Sequence, residues 1–233
     1  MLGYARKAID TYNMIEDGDK IAVGVSGGKD SVILLSALAG LKKFYPKSFE
    51  ILAITVDMGY ENTDFSEISK LCKALDVEYI IEKTEIKQIV FDIRNEKNPC
   101  SLCANLRRGA LNNAAMANGC NKVALGHHFD DVIETFMMNL TYNGNIGCFD
   151  PVTELERSNL KVIRPLIFAP ERYINSLSKR CAAPVVKNPC PADKNTKREE
   201  IKNLISKIEK ENPDVKKRIF AAVNSLGGWK IGG

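Results

Sequence analysis

Short runs of apolar, β-branched residues alternate along the chain with longer amphipathic segments. The runs read KIAVGV at 20–25, EILAITV at 50–56, VEYIIE at 77–82, KVALG at 122–126 and LKVIRPL at 160–166. Apolar runs of this length are typical of buried strands, and helices that join parallel strands form right-handed crossovers. The pattern therefore predicts an α/β fold with a doubly wound, mostly parallel five-stranded sheet.

The segments between and after these runs have a helical period. DSVILLSALAGLKKF follows the first run and places four apolar residues roughly one turn apart: Val32, Leu35, Leu38 and Leu41. After Pro170 the patterns are helical, with no clear strand. We expect an α/β domain with an N-terminal helix over residues 1–170, and a helical part over residues 171–233 that packs on the same domain.

Charge is unevenly distributed along the 233 residues. Residues 171–233 carry 14 Lys and Arg against 7 Asp and Glu, which suits a polyanionic partner such as RNA, or else a solvated helical surface. No apolar run approaches the roughly 20 residues that span a bilayer, and the N-terminus lacks the apolar centre of a signal peptide. We therefore expect a cytoplasmic protein without a membrane partner.

A glycine-containing segment, SGGKDS at 26–31, follows the first predicted strand. Its spacing differs from the G-x-x-x-x-G-K-[ST] loop of common nucleotide hydrolases. Gly27 and Gly28 would let the backbone approach an anion, while loop N–H groups, Lys29 and the hydroxyls of Ser26 and Ser31 would donate to phosphate. The alternative is a glycine turn before a helix capped by Asp30 or Ser31.

Further polar residues come at the ends of the second and fourth predicted strands. Asp57 ends the second in TVDMG, and ALGHHFDDVIETF follows the fourth with Gly126, His127, Asp130 and Asp131. Such a glycine permits close approach of a nucleotide, and paired carboxylates can hold magnesium on its phosphates. An independent His/Asp metal site is an alternative, although the chain contains only two histidines and they are adjacent.

The seven cysteines indicate metal chemistry, redox chemistry or simple burial. Cys100 and Cys103 form a C-x-x-C at the start of a helical pattern, where a helix N-terminus favours thiolates, and Cys190 repeats their NPC context. A zinc staple normally needs four ligands. Three cysteines could instead hold a [4Fe-4S] cluster with one iron free for an external ligand such as sulfide. Zinc and inert thiols remain alternatives.

SGGKDS, TVDMG and GHHFDD resemble the PP-loop ATP pyrophosphatases, which cleave ATP between the α and β phosphates and adenylate a substrate oxygen. The resemblance implies the adenine nucleotide alpha hydrolase-like fold. It assigns ATP binding to Ser26, Gly27, Gly28, Lys29, Asp30, Ser31, Asp57, Gly126 and His127. It also implies that Asp130 and Asp131 hold Mg²⁺, and that Lys29 and Asp131 are catalytic.

CSLCANLRRG, and VIRPL with Arg164, resemble the tRNA 2-thiocytidine synthetase family of iron-sulfur tRNA thiolases. The resemblance implies a [4Fe-4S] cluster on Cys100, Cys103 and Cys190, with Arg107 stabilising phosphate charge. It further implies a tRNA substrate, a sulfur donor such as a cysteine desulfurase or free sulfide, and a homodimer. The expected reaction adenylates the C2 oxygen of cytidine 32 and replaces it with sulfur, releasing pyrophosphate and AMP.

Other functions fit parts of the same pattern. The target could be a tRNA uridine instead of cytidine. A PP-loop ligase that amidates its substrate or forms lysidine would use the cysteines only structurally, and would be a colourless, iron-free protein that still cleaves ATP. A nucleotide-binding module or an iron-sulfur sensor would bind ATP without turnover.

Overall fold

The computed structural model describes residues 1–61, 63–94, 99–156, 158–186, 190 and 197–225. The strands are β1 (Asp19–Gly24), β2 (Phe49–Asp57), β3 (Glu78–Lys83), β4 (Lys122–Ala124), β5 (Val152–Leu155) and β6 (Leu160–Ile163). The helices are α1 (Leu2–Thr11), α2 (Lys29–Lys42), α3 (Ser66–Ala74), α4 (Pro99–Ala117), α5 (Phe129–Tyr142), α6 (Glu171–Arg180), α7 (Lys197–Glu211) and α8 (Val215–Ser225). A short π-helix, Gln88–Ile93, precedes α4.

The six strands form one sheet in the order β3-β2-β1-β4-β6-β5. All neighbours are parallel except β5 and β6. The chain winds outward from β1 toward β3 and then crosses to β4, so the switch in direction lies between β1 and β4. Ligands of doubly wound sheets bind beyond the carboxyl ends of the strands at such a switch. The predicted α/β class and mostly parallel sheet are confirmed.

The prediction of five strands misses β5. This strand has four residues, VTEL, and three of them are only half-buried while Glu154 is exposed, so it has no apolar run to mark it. It pairs antiparallel with β6 at the edge of the sheet, where only one neighbour is needed. Its strand character therefore depends on the hairpin with β6 rather than on its own residues.

Helices cover both faces of the sheet. On one face α1 and α2 contribute to the largest apolar cluster, in which all four residues predicted to face the core are at most 1% exposed: Val32, Leu35, Leu38 and Leu41. On the other face α4 buries Leu111, Ala114 and Ala115 against a cluster that includes Leu52 and Ile54 of β2. The sheet is thus a rigid layer between two apolar interfaces, which fixes its carboxyl-terminal edge.

The C-terminal helices pack on helices of the sheet layer. Contacts join α6 to α2, and both α7 and α8 to α5. The α5 interface is apolar, with Ile133 packed against Ile201 and Ile205, and with the rings of Phe129 and Phe220 stacked at 4.6 Å. A domain boundary at residue 170 stays a prediction. None of the helices in the described part of the chain is both long and apolar enough to cross a membrane.

Candidate active site

The glycine segment Ser26–Ser31 connects the end of β1 to the start of α2. Gly27 has a φ of +82°, a conformation that favours glycine. The Ser26 N–H donates to Ser31 Oγ at 3.2 Å, and this hydroxyl donates to the Gly28 carbonyl at 2.8 Å, so Ser31 holds the loop closed from within. The N-cap of α2 is extended Gly28, and no side chain caps the helix. The suggested caps, Asp30 and Ser31, are therefore wrong, because α2 begins at Lys29 and already contains both.

This uncapped helix start suits an anion. The first N–H groups of a helix have no carbonyl partner within it, and its dipole favours negative charge at that end. A Cβ atom at Gly28 would meet only Ser26 Oγ, at 3.5 Å, so the loop is open on that side. The geometry is that of a phosphate-binding loop.

Lys29 lies between two carboxylates. Its Nζ is 3.1 Å from Asp30 Oδ1 and 3.1 Å from Glu171 Oε1 of α6. Burial favours the neutral amine, but Asp30 and Glu171 outweigh it and raise the pKa of Lys29. Burial likewise opposes ionisation of Glu171. Hydrogen bonds from Lys202 and Lys29 outweigh this effect and lower the pKa of Glu171 to about 2. Lys29 is therefore a positive charge held in a fixed position at the loop.

Gly126 lies where the turn after β4 approaches the glycine loop. A Cβ atom there would lie 3.0 Å from the backbone carbon of Asp30 and 3.1 Å from the Ser31 nitrogen. The lack of a side chain thus lets these two loops pack together, a role that the sequence reasoning missed. Nucleotide binding at Gly126 stays a prediction.

His127 is a neutral hydrogen-bond acceptor. Its Nδ1 accepts from Arg164 Nε at 3.1 Å, and its ring stacks on Phe149 with centroids 4.7 Å apart. The Arg164 guanidinium also lies 4.9 Å from the Phe149 centroid and donates to Thr153 Oγ1. Burial, followed by the charge of Arg164, lowers the pKa of His127 to about 3. The imidazole therefore carries no charge at neutral pH. No local pattern in the sequence indicated its aromatic neighbour, Phe149, or its cationic neighbour, Arg164.

The next histidine, His128, has a structural role. It is the N-cap of α5, and its Nδ1 accepts from the Asp131 N–H at 3.4 Å while Asp131 Oδ2 accepts from the His128 N–H at 2.9 Å. This reciprocal pair is a capping box with histidine and aspartate in place of the usual Ser/Thr and Glu. An acidic residue three positions after a possible cap was the sequence signal for it.

Both aspartates of GHHFDD have protein partners. Asp130 Oδ2 accepts from the Glu171 N–H at the start of α6 at 2.7 Å, and Oδ1 is 3.1 Å from Lys216 Nζ of α8. Asp131 Oδ1 is 2.8 Å from Arg198 of α7. The pair thus ties α5 to all three C-terminal helices. Their assignment to Mg²⁺ stays a prediction.

The cysteines lie beside this loop system. Cys100 and Cys103 are in the first turns of α4, as predicted, and Cys103 Sγ is 3.8 Å from Met58 Sδ. Burial raises the pKa of the Cys103 thiol, and Arg107 only partly opposes this shift. Burial therefore outweighs the charge of Arg107 at this thiol, and the expectation that the helix start favours a thiolate stays a prediction. Both Cys190 and Cys100 also act electrostatically on Cys103, so the three cysteines lie close together.

Tyr60 completes this group. Its Oη is shielded from solvent and has no hydrogen bond of ordinary geometry in the structure. Burial raises the pKa of Tyr60, and the neighbouring Cys190, Cys103 and Cys100 raise it further. We call these four residues, Tyr60, Cys100, Cys103 and Cys190, the cysteine site.

The cysteine site offers thiol donors, the ligand type that iron-sulfur clusters use. Among the described residues, no three His, Cys, Asp or Glu side chains converge closely enough to hold one metal ion. In a [4Fe-4S] cluster each thiolate binds a different iron, so its ligands need to surround a group of atoms and not share one point. The soft donor set and the shielded Tyr60 hydroxyl are consistent with a cluster between these residues.

Two segments lie on the side of the sheet where the glycine loop and the cysteine site are found. Residues 181–186, which we call the strap, follow α6 and lead toward Cys190; the Val186 N–H donates to the Gly27 carbonyl at 2.9 Å. A Cβ atom at Gly27 would lie 2.8 Å from Val186 Cβ, so this contact requires glycine. The second segment, residues 57–60, runs from the end of β2 to Tyr60. The charge of Arg107 acts on both Cys103 and His127, because it favours a lower pKa of each.

Comparison with known proteins identifies the family. A PP-loop domain model matches residues 4–209. The chain is 40% identical over 225 residues to a tRNA-cytidine(32) 2-sulfurtransferase of Geotalea uraniireducens, covering 94% of this chain and 88% of that protein. The enzyme of the same name from Geobacter sulfurreducens is 37% identical over 226 residues, which are 94% and 87% of the two chains. The chain belongs to the tRNA-cytidine(32) 2-sulfurtransferase family of PP-loop proteins. The predicted resemblance is confirmed.

A solved tRNA thiolase has a similar structure. The U34-tRNA thiolase NcsA from Methanococcus maripaludis, described with its [4Fe-4S] cluster, superposes with a TM-score of 0.78 at 27% identity over 96% of this chain and 77% of its own. Members of this family are tRNA sulfurtransferases that contain an ATP-using PP-loop domain. The individual ATP, Mg²⁺ and cluster ligands in this chain stay predictions.

Proposed function

We propose that this protein thiolates tRNA at C2 of cytidine 32, using ATP and a [4Fe-4S] cluster held by Cys100, Cys103 and Cys190. The observation that carries the proposal is the hydrogen bond from the Val186 N–H to the Gly27 carbonyl, which holds the segment four residues before Cys190 against the PP-loop, residues 26–31. A family of tRNA-cytidine(32) 2-sulfurtransferases and an iron-sulfur tRNA thiolase support the substrate and the cofactor.

The first step would adenylate the base. The C2 oxygen attacks the α-phosphorus of ATP, the bond from that phosphorus to the bridging oxygen breaks, and pyrophosphate leaves. The N–H groups at the start of α2 and the fixed charge of Lys29 stabilise the negative charge that develops on the departing phosphates. Asp57, Gly126 and His127 are the proposed contacts to the nucleoside end of ATP.

Magnesium would assist this step as a Lewis acid. We retain Asp130 and Asp131 as its proposed ligands, and Asp131 as a catalytic residue. Each carboxylate now has a cationic partner, Lys216 or Arg198, so an ion would replace these charges or share the carboxylates with them.

The second step would exchange oxygen for sulfur. When bound, the cluster would supply an iron without a protein thiolate, which can take sulfide as an external ligand. Sulfide could come from free solution, or from the persulfide of a cysteine desulfurase after a thiol reductant has supplied two electrons. Sulfide then forms a bond to C2, and the C2–O bond breaks as AMP leaves with that oxygen, with no net oxidation. Arg107, exposed beside Cys103 and His127, would offset the charge of the departing phosphate.

The remaining proposals concern the partners. Exposed basic residues of α7 and α8 would contact the tRNA backbone: Lys207, Lys210, Lys217 and Arg218. We also propose a cytoplasmic homodimer, as the family resemblance implies.

Anaerobic purification with iron and sulfide analysis tests the cluster. We expect about four iron and four sulfide per chain after reconstitution, and a loss in each of Cys100→Ser, Cys103→Ser and Cys190→Ser. Cys181→Ser is the matched control, because Cys181 is exposed at the end of α6 and belongs to the strap rather than to the cysteine site. A wild type without cluster, or a Cys190→Ser variant that keeps it unchanged, contradicts the assignment.

Nucleoside mass spectrometry tests the substrate. tRNA from a strain that lacks this protein should contain no 2-thiocytidine at position 32 and should regain it when the gene is restored. Thiolated nucleosides that all remain at wild-type levels would exclude tRNA thiolation. An iron-free wild type that still converts ATP to AMP and pyrophosphate would favour the ligase alternative.

A further inference from the structure

The hydroxyl of Tyr60 is a buried donor without a well-formed hydrogen bond in the cysteine site. Its Oη is shielded from solvent and has no hydrogen bond of ordinary geometry in the structure. Burial raises its pKa, and the one group that acts on it as a hydrogen-bond partner, and so raises its pKa further, is Cys190. Buried polar groups nearly always have a partner, and a group without one is a reason to look for a missing ligand or ion. The neighbours that act electrostatically on this hydroxyl are the three cysteines, Cys190 most strongly.

The backbone fixes the position of Tyr60. Gly59 has a φ of +82°, and a Cβ atom there would lie 2.9 Å from the Thr84 carbonyl oxygen. The Gly59 N–H donates to Asp57 Oδ1 at 3.0 Å, and the Met58 carbonyl accepts from the Lys87 N–H at 2.8 Å. The turn before Tyr60 is therefore held by two hydrogen bonds and packs closely on the Thr84 carbonyl. Tyr60 thus follows a fixed turn and not a freely moving loop.

We propose that Tyr60 Oη donates a hydrogen bond to the sulfur of Cys190 when this sulfur is a cluster ligand, and thereby raises the reduction potential of the cluster. A metal-bound cysteine is deprotonated, and its sulfur becomes an anionic acceptor for the unused donor. Hydrogen bonds to cluster sulfurs stabilise the more negative, reduced form. Tyr60 is then a positioning residue for the third ligand. This inference rests on the proposed function, since it requires the cluster.

The Tyr60→Phe variant tests the hydroxyl alone. We expect it to hold as much iron and sulfide as the wild type after anaerobic reconstitution, and to have a more negative midpoint potential in a titration followed by electron paramagnetic resonance. A tenfold change in the ratio of reduced to oxidised cluster at a fixed potential corresponds to about 59 mV for a one-electron couple. We expect a shift of that order.

Two further measurements separate this role from a structural one. The apo form of Tyr60→Phe should melt no lower than the apo wild type, because the variant removes a hydroxyl that has no well-formed hydrogen bond there. Tyr79→Phe is the matched control: its hydroxyl donates to Thr55 Oγ1 at 2.9 Å within the sheet, so its loss should lower the melting temperature and leave the potential unchanged. Pulsed electron paramagnetic resonance of the reduced wild type in D₂O should also show an exchangeable deuteron coupled to the cluster.

Several outcomes would overturn the inference. A loaded Tyr60→Phe variant with the wild-type potential, or an apo variant that melts well below the wild type, would show that the hydroxyl has no such role. If the variant fails to take up a cluster, the deuteron signal of the wild type decides, measured with cyanide on the open iron so that no solvent deuteron lies there. Its presence supports the donor, and its absence excludes it. A wild type that never holds a cluster overturns the proposed function as well, whereas an unchanged potential in a loaded variant overturns only the role of Tyr60.

Discussion

Individual charges around the PP-loop are balanced by residues far away in the sequence. Lys29 pairs with Glu171, which also pairs with Lys202 at 2.9 Å, while Arg198 pairs with Asp131. Three of these residues come from helices that follow residue 170. The phosphate-binding loop is therefore electrostatically complete only when the C-terminal helices are packed on it, and the sequence could not show these pairs because they join distant residues.

Replacement of Lys29 tests the role of this fixed charge. Lys29→Met should lower the rate of pyrophosphate release by about 10²- to 10³-fold, as for other groups that stabilise transition-state charge. Lys202→Met removes the other cation beside Glu171 and leaves the loop intact, so we expect it to change the rate by less than about tenfold. The measurement is single-turnover formation of AMP and pyrophosphate. A Lys29→Met enzyme as fast as Lys202→Met would exclude Lys29 as a catalytic residue.

Glu134 should make the stability of the protein depend on pH. Burial, opposed by Arg198, raises its pKa from the ordinary 4.5 to about 7. The folded protein therefore binds a proton more tightly than the unfolded chain, so this residue's contribution to stability falls as the pH rises from 4.5 to 7 and stays low above that. Glu134→Gln should raise the free energy of unfolding at pH 8 by on the order of 1 to 3 kcal/mol.

The difference in free energy of unfolding between Glu134→Gln and the wild type should shrink toward pH 5, because the carboxyl of the folded wild type is protonated there. Chemical denaturation of the apo protein between pH 5 and pH 8 measures it. A difference that does not change over this range would mean that Glu134 is ionised throughout and stabilised by Arg198, which lies 3.5 Å away.

At the scale of elements, the strap is the part that connects the two chemical sites. It follows α6, crosses Gly27 and leads toward Cys190. Its position depends on the left-handed conformation of Gly27 and on the space that this glycine leaves for Val186. A change within the PP-loop should therefore alter the binding of the proposed cluster.

Two neighbouring glycines allow this coupling to be measured. Gly27→Ala would force a Cβ atom to within 2.8 Å of Val186 and strain a backbone at φ +82°, so it should displace the strap and reduce the iron content after reconstitution by more than half. Gly28→Ala has room for its methyl group and should keep the full cluster. Equal iron content in the two variants would contradict a coupling through the strap.

The sequence predicts those elements whose own residues define them. The central strands have apolar runs, and the core face of α2 has a clear helical period, so both were found, whereas β5 depends on a hairpin with its neighbour. In the site, the residues of the PP-loop and the C-x-x-C were found because their spacing is itself distinctive. The pairing of Arg164 with His127, the contact of Val186 with Gly27 and the place of Tyr60 depend on tertiary packing, which local patterns do not contain.

For the molecule as a whole, the cations of the basic C-terminal part fall into two groups. Some of its cations neutralise carboxylates of the site, as Arg198, Lys202 and Lys216 do. Others point into solvent on α7 and α8. The excess of positive charge in the sequence is therefore smaller at the surface than the composition suggests, and only the exposed part is available to bind RNA.

The affinity for tRNA should fall as salt increases. Each exposed cation that contacts a phosphate contributes about 0.9 to the slope of log K against log salt for a duplex. Replacement of Lys207 and Lys210 on α7 by alanine should weaken binding and reduce this slope by about 2. Lys42→Ala with Lys43→Ala, at the opposite end of α2 from the PP-loop, is the control and should change neither. An affinity that does not depend on salt would exclude backbone contacts by this surface.

The hydrogen bond from Val186 to Gly27 also has a consequence for synthesis of the protein on the ribosome. The PP-loop, Cys100 and Cys103 emerge long before the strap and Cys190. A nascent chain that has reached only α5 has two of the three proposed cluster ligands and an uncovered loop. With the proposed ligands, insertion of the cluster would be a late event of biogenesis, and a chain truncated before residue 190 would expose two thiols to oxygen without the third ligand.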